Sequence, residues 1–283
     1  MKGGLMDISG RLIVEAGHVT EVYGPVQALR NYLVKNKAEF VYITHPFSYS
    51  RLEGTTAEIY ADGKKLRVEN GHKRGKSQLI QWIKDVFFNI VFMLKMKEKA
   101  GLFIGVDNLN AMTGIIMKWL GKVDKVAYYV IDHMDRRFKN PVFNWFYEFI
   151  DGFACRYSDV IWCLSARMAE AKNRKFGIKP EKNIVVPVGI ELDKVDRFSV
   201  EEKLAKKTMV LMSMLDETKG VQLLIDSMQD IVKKEPEAKL LIIGTGPYEN
   251  ALKDQTKRLG LEDCIKFLGL MNHEQLFGFI PHE

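Results

Sequence analysis

Along the chain, short runs of β-branched and aromatic residues alternate with segments whose apolar positions recur at helical spacing. That alternation predicts parallel sheets with crossover helices. Up to residue 190 the pattern predicts strands at 12–15, 40–44, 102–106, 126–131, 160–164 and 184–188. Helices are expected between them at 25–36, 77–99, 110–120, 141–157 and 166–176. Two further short runs, 57–60 and 66–69, flank Asp62-Gly63, a dipeptide that favours a tight hairpin turn. The periodicity lapses over the charged stretch 191–207, read as a linker. It resumes with strands at 209–213, 239–243 and 265–268, helices at 221–234 and 248–259, and the start of another helix at His273. The expected architecture is therefore α/β with two doubly wound, Rossmann-like domains, 1–190 and 208–283, the second incomplete. A half-sheet of three strands predicts that the chain ends before its second domain does, and that it aggregates or turns over no substrate by itself.

Composition changes this picture little, and charge changes it more. The 283 residues are 47% apolar and 28% charged, as in globular proteins, and no repeat or low-complexity segment interrupts them. The opening residues lack an apolar stretch of signal-peptide length. The longest uncharged apolar run, 86–94, is far short of the ~20 residues a membrane-spanning helix needs. A cytoplasmic protein is expected, and Cys155, Cys163 and Cys264, spaced like neither a zinc ribbon nor a redox pair, read as reduced thiols. The net charge of +6 divides unevenly: residues 1–190 carry 29 lysines and arginines against 19 acids, and residues 191–283 carry 13 against 17. A basic front half suits nucleic acid, an anionic membrane or a phosphorylated substrate, and no nucleic-acid motif accompanies it. The helix expected at 77–99 holds Trp82, Phe87, Phe88 and Phe92 between basic ends. It reads either as a core helix or as a contact with an anionic membrane face.

Several stretches could carry chemistry. Leu240-Leu-Ile-Ile-Gly-Thr-Gly-Pro247 is a strand running into a Gly-x-Gly turn before a helix. Gly244 and Gly246 there read either as a phosphate-facing turn or as a tight structural one. A dinucleotide fingerprint is not met, because Glu249 stands where a third small residue belongs. Asp216-Glu-Thr-Lys-Gly220 follows a strand, and ligands of doubly wound sheets bind at the carboxyl ends of strands. Lys219 would stand there as a compact cation suited to a diphosphate, or simply be solvated. Val185-Val-Pro-Val-Gly-Ile190 closes the front domain with a sharp exit that places Gly189 at the domain boundary.

Taken in order, these stretches resemble the GT-B fold glycosyltransferases of the large retaining family 4 type. That family carries a Pro-x-Gly turn, a Gly-Arg-Leu-x-x-x-Lys-Gly loop, Gly-x-Gly-Pro and a Phe-x-Gly strand end. The corresponding stretches here are Pro187-Val-Gly189, Ser213-Met-Leu-Asp-Glu-Thr-Lys-Gly220, Gly244-Thr-Gly-Pro247 and Phe267-Leu-Gly269, and the resemblance covers about 160–283. It implies a sugar nucleotide held mainly by the back domain, with Lys219 on the diphosphate and the backbone of Leu270, Met271 and Asn272 around the base. Gly24 is the nearest match to the family's front-domain glycine, and His133, after Asp132, matches a histidine near the transferred sugar. Asp107-Asn108 reads as acceptor binding or helix capping.

Two departures stand out. Met214 replaces the family arginine that pairs with the lysine, which removes charge-assisted bonds to phosphate, and Arg136 or Arg137 are candidate substitutes. The family's pair of glutamates would fall beyond residue 283. The expected function is a hexosyltransferase that moves sugar from a UDP- or GDP-linked donor to a lipid-linked or cell-envelope saccharide. It would work with retention, without a metal or other cofactor, at the inner membrane face. The alternative is a non-catalytic GT-B scaffold that binds a partner transferase.

Overall fold

A computed structural model describes residues 10–20, 23–48, 50–75, 77–189 and 207–271. The chain divides into two compact units, Met1–Ile190 and Glu191–Glu283. Most of the expected linker, Asn272 and the helix expected from His273 lie outside the described residues.

Unit 1 is a mixed sheet of eight strands: β1 (Ile13–Val19), β2 (Phe40–Pro46), β3 (Gly54–Ala61), β4 (Lys64–Lys73), β5 (Ala100–Val106), β6 (Val123–Val130), β7 (Val160–Cys163) and β8 (Asn183–Val185). Their order across the sheet is β4-β3-β2-β1-β5-β6-β7-β8. The strands from β2 through β1 to β8 pair in parallel, and the β3–β4 hairpin adds an antiparallel edge. Its turn is Asp62-Gly63 with both residues at positive φ (50° and 73°), the backbone that matches the right-handed twist of paired strands. β1 and β5 are buried along their whole length, as strands covered on both faces must be.

Among the described residues, five α-helices cover unit 1: α1 (Pro25–Lys35), α2 (Gln78–Lys95), α3 (Asn108–Trp119), α4 (Pro141–Tyr157) and α5 (Ala166–Phe176). Val26 and Leu33 of α1 pack on one face of the sheet, with Phe40, Tyr42 and Ile104. Phe92 and Met93 of α2, and Ile115 and Met117 of α3, pack on the other, with Val14, Val41 and Phe103. Three helices begin where the sequence supplies caps. Asp107 accepts from the Asn110 N–H, Asn140 from Val142 and Phe143, and Ser165 from Met168, which occupies amides left open at each helix start.

Several boundaries differ from the sequence pattern: β3, β4 and β6 begin or end about three residues beyond the expected runs, and β8 stops at Val185 where 188 was expected. The helix expected to reach Lys99 stops at Lys95, where Met96 turns extended (ψ 131°) to feed β5. No breaker residue marks that stop; the register of β5 against β1 imposes it. The first strand runs past 15 to Val19, because Gly17 and His18 interrupt the apolar run but remain in the ladder, opposite Thr44 and His45. Among the described residues no helix is long and apolar enough to cross a membrane. α2 is nevertheless two-faced: Phe92 and Met93 are buried, whereas Leu79, Ile80, Ile83 and Phe87 are exposed.

Unit 2 places three parallel strands, β9 (Thr208–Met212), β10 (Lys239–Ile243) and β11 (Ile265–Gly269), in the order β11-β10-β9. Helices α6 (Val221–Lys234) and α7 (Glu249–Arg258) connect them, and Val221, Ile225, Met228 and Leu252 bury against Leu240, Ile242 and Ile265.

All three cysteines are free, and burial pushes the thiols of Cys155 and Cys163 up to about 12 and about 11. Glu15, in the middle of β1, is fully buried, and neither carboxyl oxygen has a hydrogen-bond partner among the described residues. Burial raises its pKa well above the ordinary range, against the opposing charge of Arg30. A raised folded-state pKa means that the contribution of Glu15 to stability is fully present below the unfolded value and is lost as pH rises toward the folded one. The slope approaches ~1.4 kcal/mol per pH unit between them. Glu15→Gln is expected to remove that loss. Trp82, Trp119, Trp145 and Trp162 all lie in unit 1, so urea melts followed by tryptophan fluorescence at pH 5 and pH 8 report on it. The wild type should lose more stability over that interval than the variant, and parallel losses would show that Glu15 is ionised in the folded chain.

Candidate functional site

Unit 1 opens a cavity of about 250 Å³ at the carboxyl ends of β1, β5 and β6. His18, Asp107, Asp132 and Arg137 give it polar walls, and Phe47, Trp82, Tyr128 and Tyr147 give it apolar ones. This is the end of a parallel sheet where helix amino termini and open loops converge.

Its floor is held by ion pairing. Asp107 adopts φ 136°, a conformation that favours glycine and costs another residue roughly 1–3 kcal/mol. Four donors hold it there. The Asn110 N–H reaches Oδ1 at 2.9 Å, and Oδ2 accepts from His18 Nδ1 at 2.7 Å, Asn110 Nδ2 at 2.8 Å and the His18 N–H at 3.2 Å. The other His18 ring nitrogen, Nε2, meets Asp85 Oδ2 at 3.2 Å. Burial alone lowers the His18 pKa, but the charges and hydrogen bonds of Asp107 and Asp85 override it and carry the imidazole up to about 10. Burial raises the pKa of both carboxylates, and the charge and hydrogen bonds of their neighbours, His18 first among them, more than reverse this, so each stands below its ordinary range. The unit is an imidazolium between two carboxylates. Asp107 thus caps α3, and the same side chain forms part of the cavity wall.

At the rim, Arg137 Nη1 donates to Asp132 Oδ2 at 2.7 Å, and its guanidinium lies 5.4 Å from the centre of the Tyr147 ring. Arg136 turns away and donates to the carbonyls of Phe138 and Lys139. His133 is not among the cavity-lining residues. Its Nε2 lies 3.7 Å from Asp135 Oδ1, and burial, aided by the charge of Lys172, lowers its pKa. Behind the cavity, Tyr128 donates to Asp151 at 2.7 Å, and Asp151 pairs with the buried Lys172. Gly24 caps α1 through its N–H, which donates to Gln27 Oε1 at 3.0 Å; a Cβ there would meet only that oxygen, at 3.5 Å. Gly189 is exposed, and a Cβ there would meet nothing within 4 Å.

In unit 2 three motif segments meet at the carboxyl ends of the strands. The Ser213 N–H donates to Ile243 O, the Leu215 N–H to Thr245 O, and the Gly244 N–H to Gly269 O at 2.8 Å. The glycines are required by this close approach. A Cβ on Gly244, at φ 134°, would lie 1.9 Å from Ser213 O, and one on Gly246 would lie 2.2 Å from Leu215 O. The Gly244 amide is therefore spent inside the turn. Lys219 ends a 3₁₀ turn, Glu217–Lys219, and is exposed, as are Met214 and Leu270, with Met271 half-buried beside them in sequence.

Of the residues singled out from the sequence, the cavity of unit 1 gathers Asp107, Asp132 and Arg137, whereas Lys219, Leu270, Met271, Gly244 and Gly246 belong to the strand ends of unit 2. Sequence reasoning missed His18, Asp85, Tyr128 and Tyr147, and it named Trp82 only as part of the aromatic helix, not of the cavity. One signal was present: Gln81, Asp85 and Asn89 recur every fourth residue in a largely apolar helix, and all three are buried.

Residues 193–280, in unit 2, match the family of glycosyl transferases group 1. The chain is 32% identical over 108 residues to an alpha-monoglucosyldiacylglycerol synthase of Streptococcus pneumoniae, covering 34% of this chain and 24% of that protein. It is 28% identical over 135 residues to an uncharacterized glycosyltransferase of Methanocaldococcus jannaschii, covering 45% and 33%. The matched stretches thus span a third or less of these relatives. Among solved structures, sucrose-phosphate synthase from Thermosynechococcus elongatus superposes with a TM-score of 0.67 at 16% identity, over 94% of this chain and 72% of that one. Anabaena HepE in complex with UDP and glucose gives 0.64 at 18%, over 92% and 70%. These likenesses establish the fold as the α/β, Rossmann-like architecture of GT-B glycosyltransferases.

Proposed function

We propose that the chain forms part of a glycosyltransferase that moves a sugar from a UDP- or GDP-linked donor to a lipid-linked or cell-envelope saccharide, with retention at the transferred carbon. The observation that carries this reading is the meeting of Ser213–Gly220, Gly244–Pro247 and Phe267–Gly269 at one end of the unit 2 sheet. Supporting it, the similar protein of Streptococcus pneumoniae is named for a glucosylated diacylglycerol, and HepE is described with UDP and glucose. In this reading Lys219 neutralises the departing diphosphate as an oxocarbenium-like sugar forms. Leu270 and Met271 lie at the strand ends of the same unit and frame the base. The unit 1 cavity, walled by Asp107, Asp132 and Arg137, receives the acceptor. His133, kept neutral by its lowered pKa, donates or accepts beside the sugar.

The acceptor reading also draws on an apolar surface that the sequence pattern did not single out on α4. Val142, Trp145 and Phe149 of α4 are exposed along with Ile83 and Phe87 of α2, and Phe138, before α4, bridges the two helices by meeting Trp82 and Tyr147, each at 5.9 Å. Exposed Lys84, Arg136 and Lys139 accompany this surface, a combination suited to an anionic bilayer. A second reading, a scaffold that binds a partner transferase, is favoured by one observation: at the position of the family arginine stands Met214, 59% exposed.

Titration calorimetry with UDP and GDP separates the two readings. A transferase binds one of them, and Lys219→Ala weakens that binding by about 1.5–3 kcal/mol, roughly 10- to 150-fold. Binding of neither nucleotide would favour the scaffold, and unchanged affinity in the variant would remove Lys219 from the site. For the membrane face, sedimentation with vesicles should show binding to anionic lipid that weakens as salt rises. Equal partition to neutral vesicles would leave the exposed surface without that role.

A further inference from the structure

We infer that His45, His72 and Asp85 form a binding site for one divalent transition-metal ion of the zinc type, which cross-links β2, the β3–β4 hairpin and α2. The inference stands on where protons can and cannot be.

An unbroken set of hydrogen bonds fixes the His45 tautomer. The Asp107 carboxylate can only accept, so Asn110 presents its Nδ2 to it at 2.8 Å. Asn110 Oδ1 then accepts from Asn89 Nδ2 at 2.7 Å, which leaves Asn89 Oδ1 to accept from His45 Nε2 at 3.1 Å. With its proton on Nε2, the neutral His45 ring carries a lone pair on Nδ1. That lone pair faces Asp85 Oδ1 at 3.2 Å and Thr55 Oγ1 at 3.0 Å.

His72 comes to the same point. Its Nδ1 lies 3.4 Å from the Lys73 carbonyl, which only an N–H can satisfy. In the neutral ring Nε2 is then a second lone pair, and it lies 3.0 Å from Asp85 Oδ1 and 3.3 Å from Thr55 Oγ1. Three acceptors therefore converge. Gln81 Nε2 donates to Asp85 Oδ1, and only one hydroxyl proton, that of Thr55, is left near the two ring nitrogens. Buried acceptors in contact repel unless a cation lies between them. The separations of 3.0 and 3.2 Å are close to the edge of a tetrahedron around zinc, about 3.3 Å for ligand distances of 2.0–2.1 Å.

The surroundings suit such an ion. Gln81 Nε2 donates to Asp85 Oδ1 at 2.9 Å, His18 holds Asp85 Oδ2, and Asn89 orients His45, the outer contacts that metal ligands need. Phe88 packs against both imidazoles in T-shaped contacts, with ring centres 6.3 Å apart. His45, Thr55 and Asp85 are buried, and the half-buried His72 gives a way in. Two imidazoles, a carboxylate and a hydroxyl with no thiolate fit Zn²⁺ or Co²⁺ better than a soft ion such as Cu⁺.

The purified chain, stripped with a chelator, is titrated with Co²⁺ and then with Zn²⁺. One equivalent of Co²⁺ should develop the visible bands of a tetrahedral N/O site, and Zn²⁺ should displace it and raise the melting temperature. His72→Ala, checked for folding by circular dichroism, should lose about 100-fold or more in affinity, on the scale known for disrupted metal sites. Absence of stoichiometric uptake by the wild type would overturn the inference. Equal uptake by folded His72→Ala would place the ion elsewhere and overturn it as well.

Discussion

The imidazolium of His18, clamped between Asp107 and Asp85, is the interaction on which the organisation of unit 1 turns. It joins the end of β1 to the start of α3 and to the middle of α2, three segments brought together only by the fold. Each partner alone would be an expensive buried charge, and removing one leaves the others uncompensated. The cluster also explains why Asp107 tolerates a backbone conformation that favours glycine: four donors to one side chain outweigh the strain. The cavity wall at the ends of β1 and β5 inherits its shape from that clamp.

Unit 2 is organised by a different constraint, backbone against backbone. The turn after β10 and the segment after β9 approach so closely that two of its positions admit no side chain. Their amides and carbonyls satisfy one another, which sets the exposed loop bearing Met214 and Lys219 at the end of the sheet. Stability and candidate chemistry therefore rest on the same few residues in each unit, on charge in unit 1 and on the absence of side chains in unit 2.

Much of this was legible in the sequence, for physical reasons. The alternation of elements, the Asp62-Gly63 turn and the order of the unit 2 motifs are local signals, and the structure contains the corresponding elements where they are described. The glycine turn was left open between phosphate binding and a tight turn, and the geometry gives the glycines a packing reason. The ion cluster was hidden because it draws on β1, β2, β4, α2 and α3, and no window of sequence contains it. His18 fell three residues past the expected end of the first strand, whereas it is a buried member of it. The polar stripe Gln81, Asp85 and Asn89 was masked by the aromatic residues between its members. The stop of α2 at Lys95 has no local cause and follows from the sheet.

The central claim is that His18 and Asp107 act as one unit, and a double-mutant cycle tests it most directly. His18→Gln, Asp107→Asn and the double variant are unfolded in urea and followed by tryptophan fluorescence, which reports unit 1 alone. A coupling energy of about 1.5–3 kcal/mol between the two sites is predicted, the range for a buried hydrogen bond between charged groups. Losses that add to within ~0.5 kcal/mol would contradict the account.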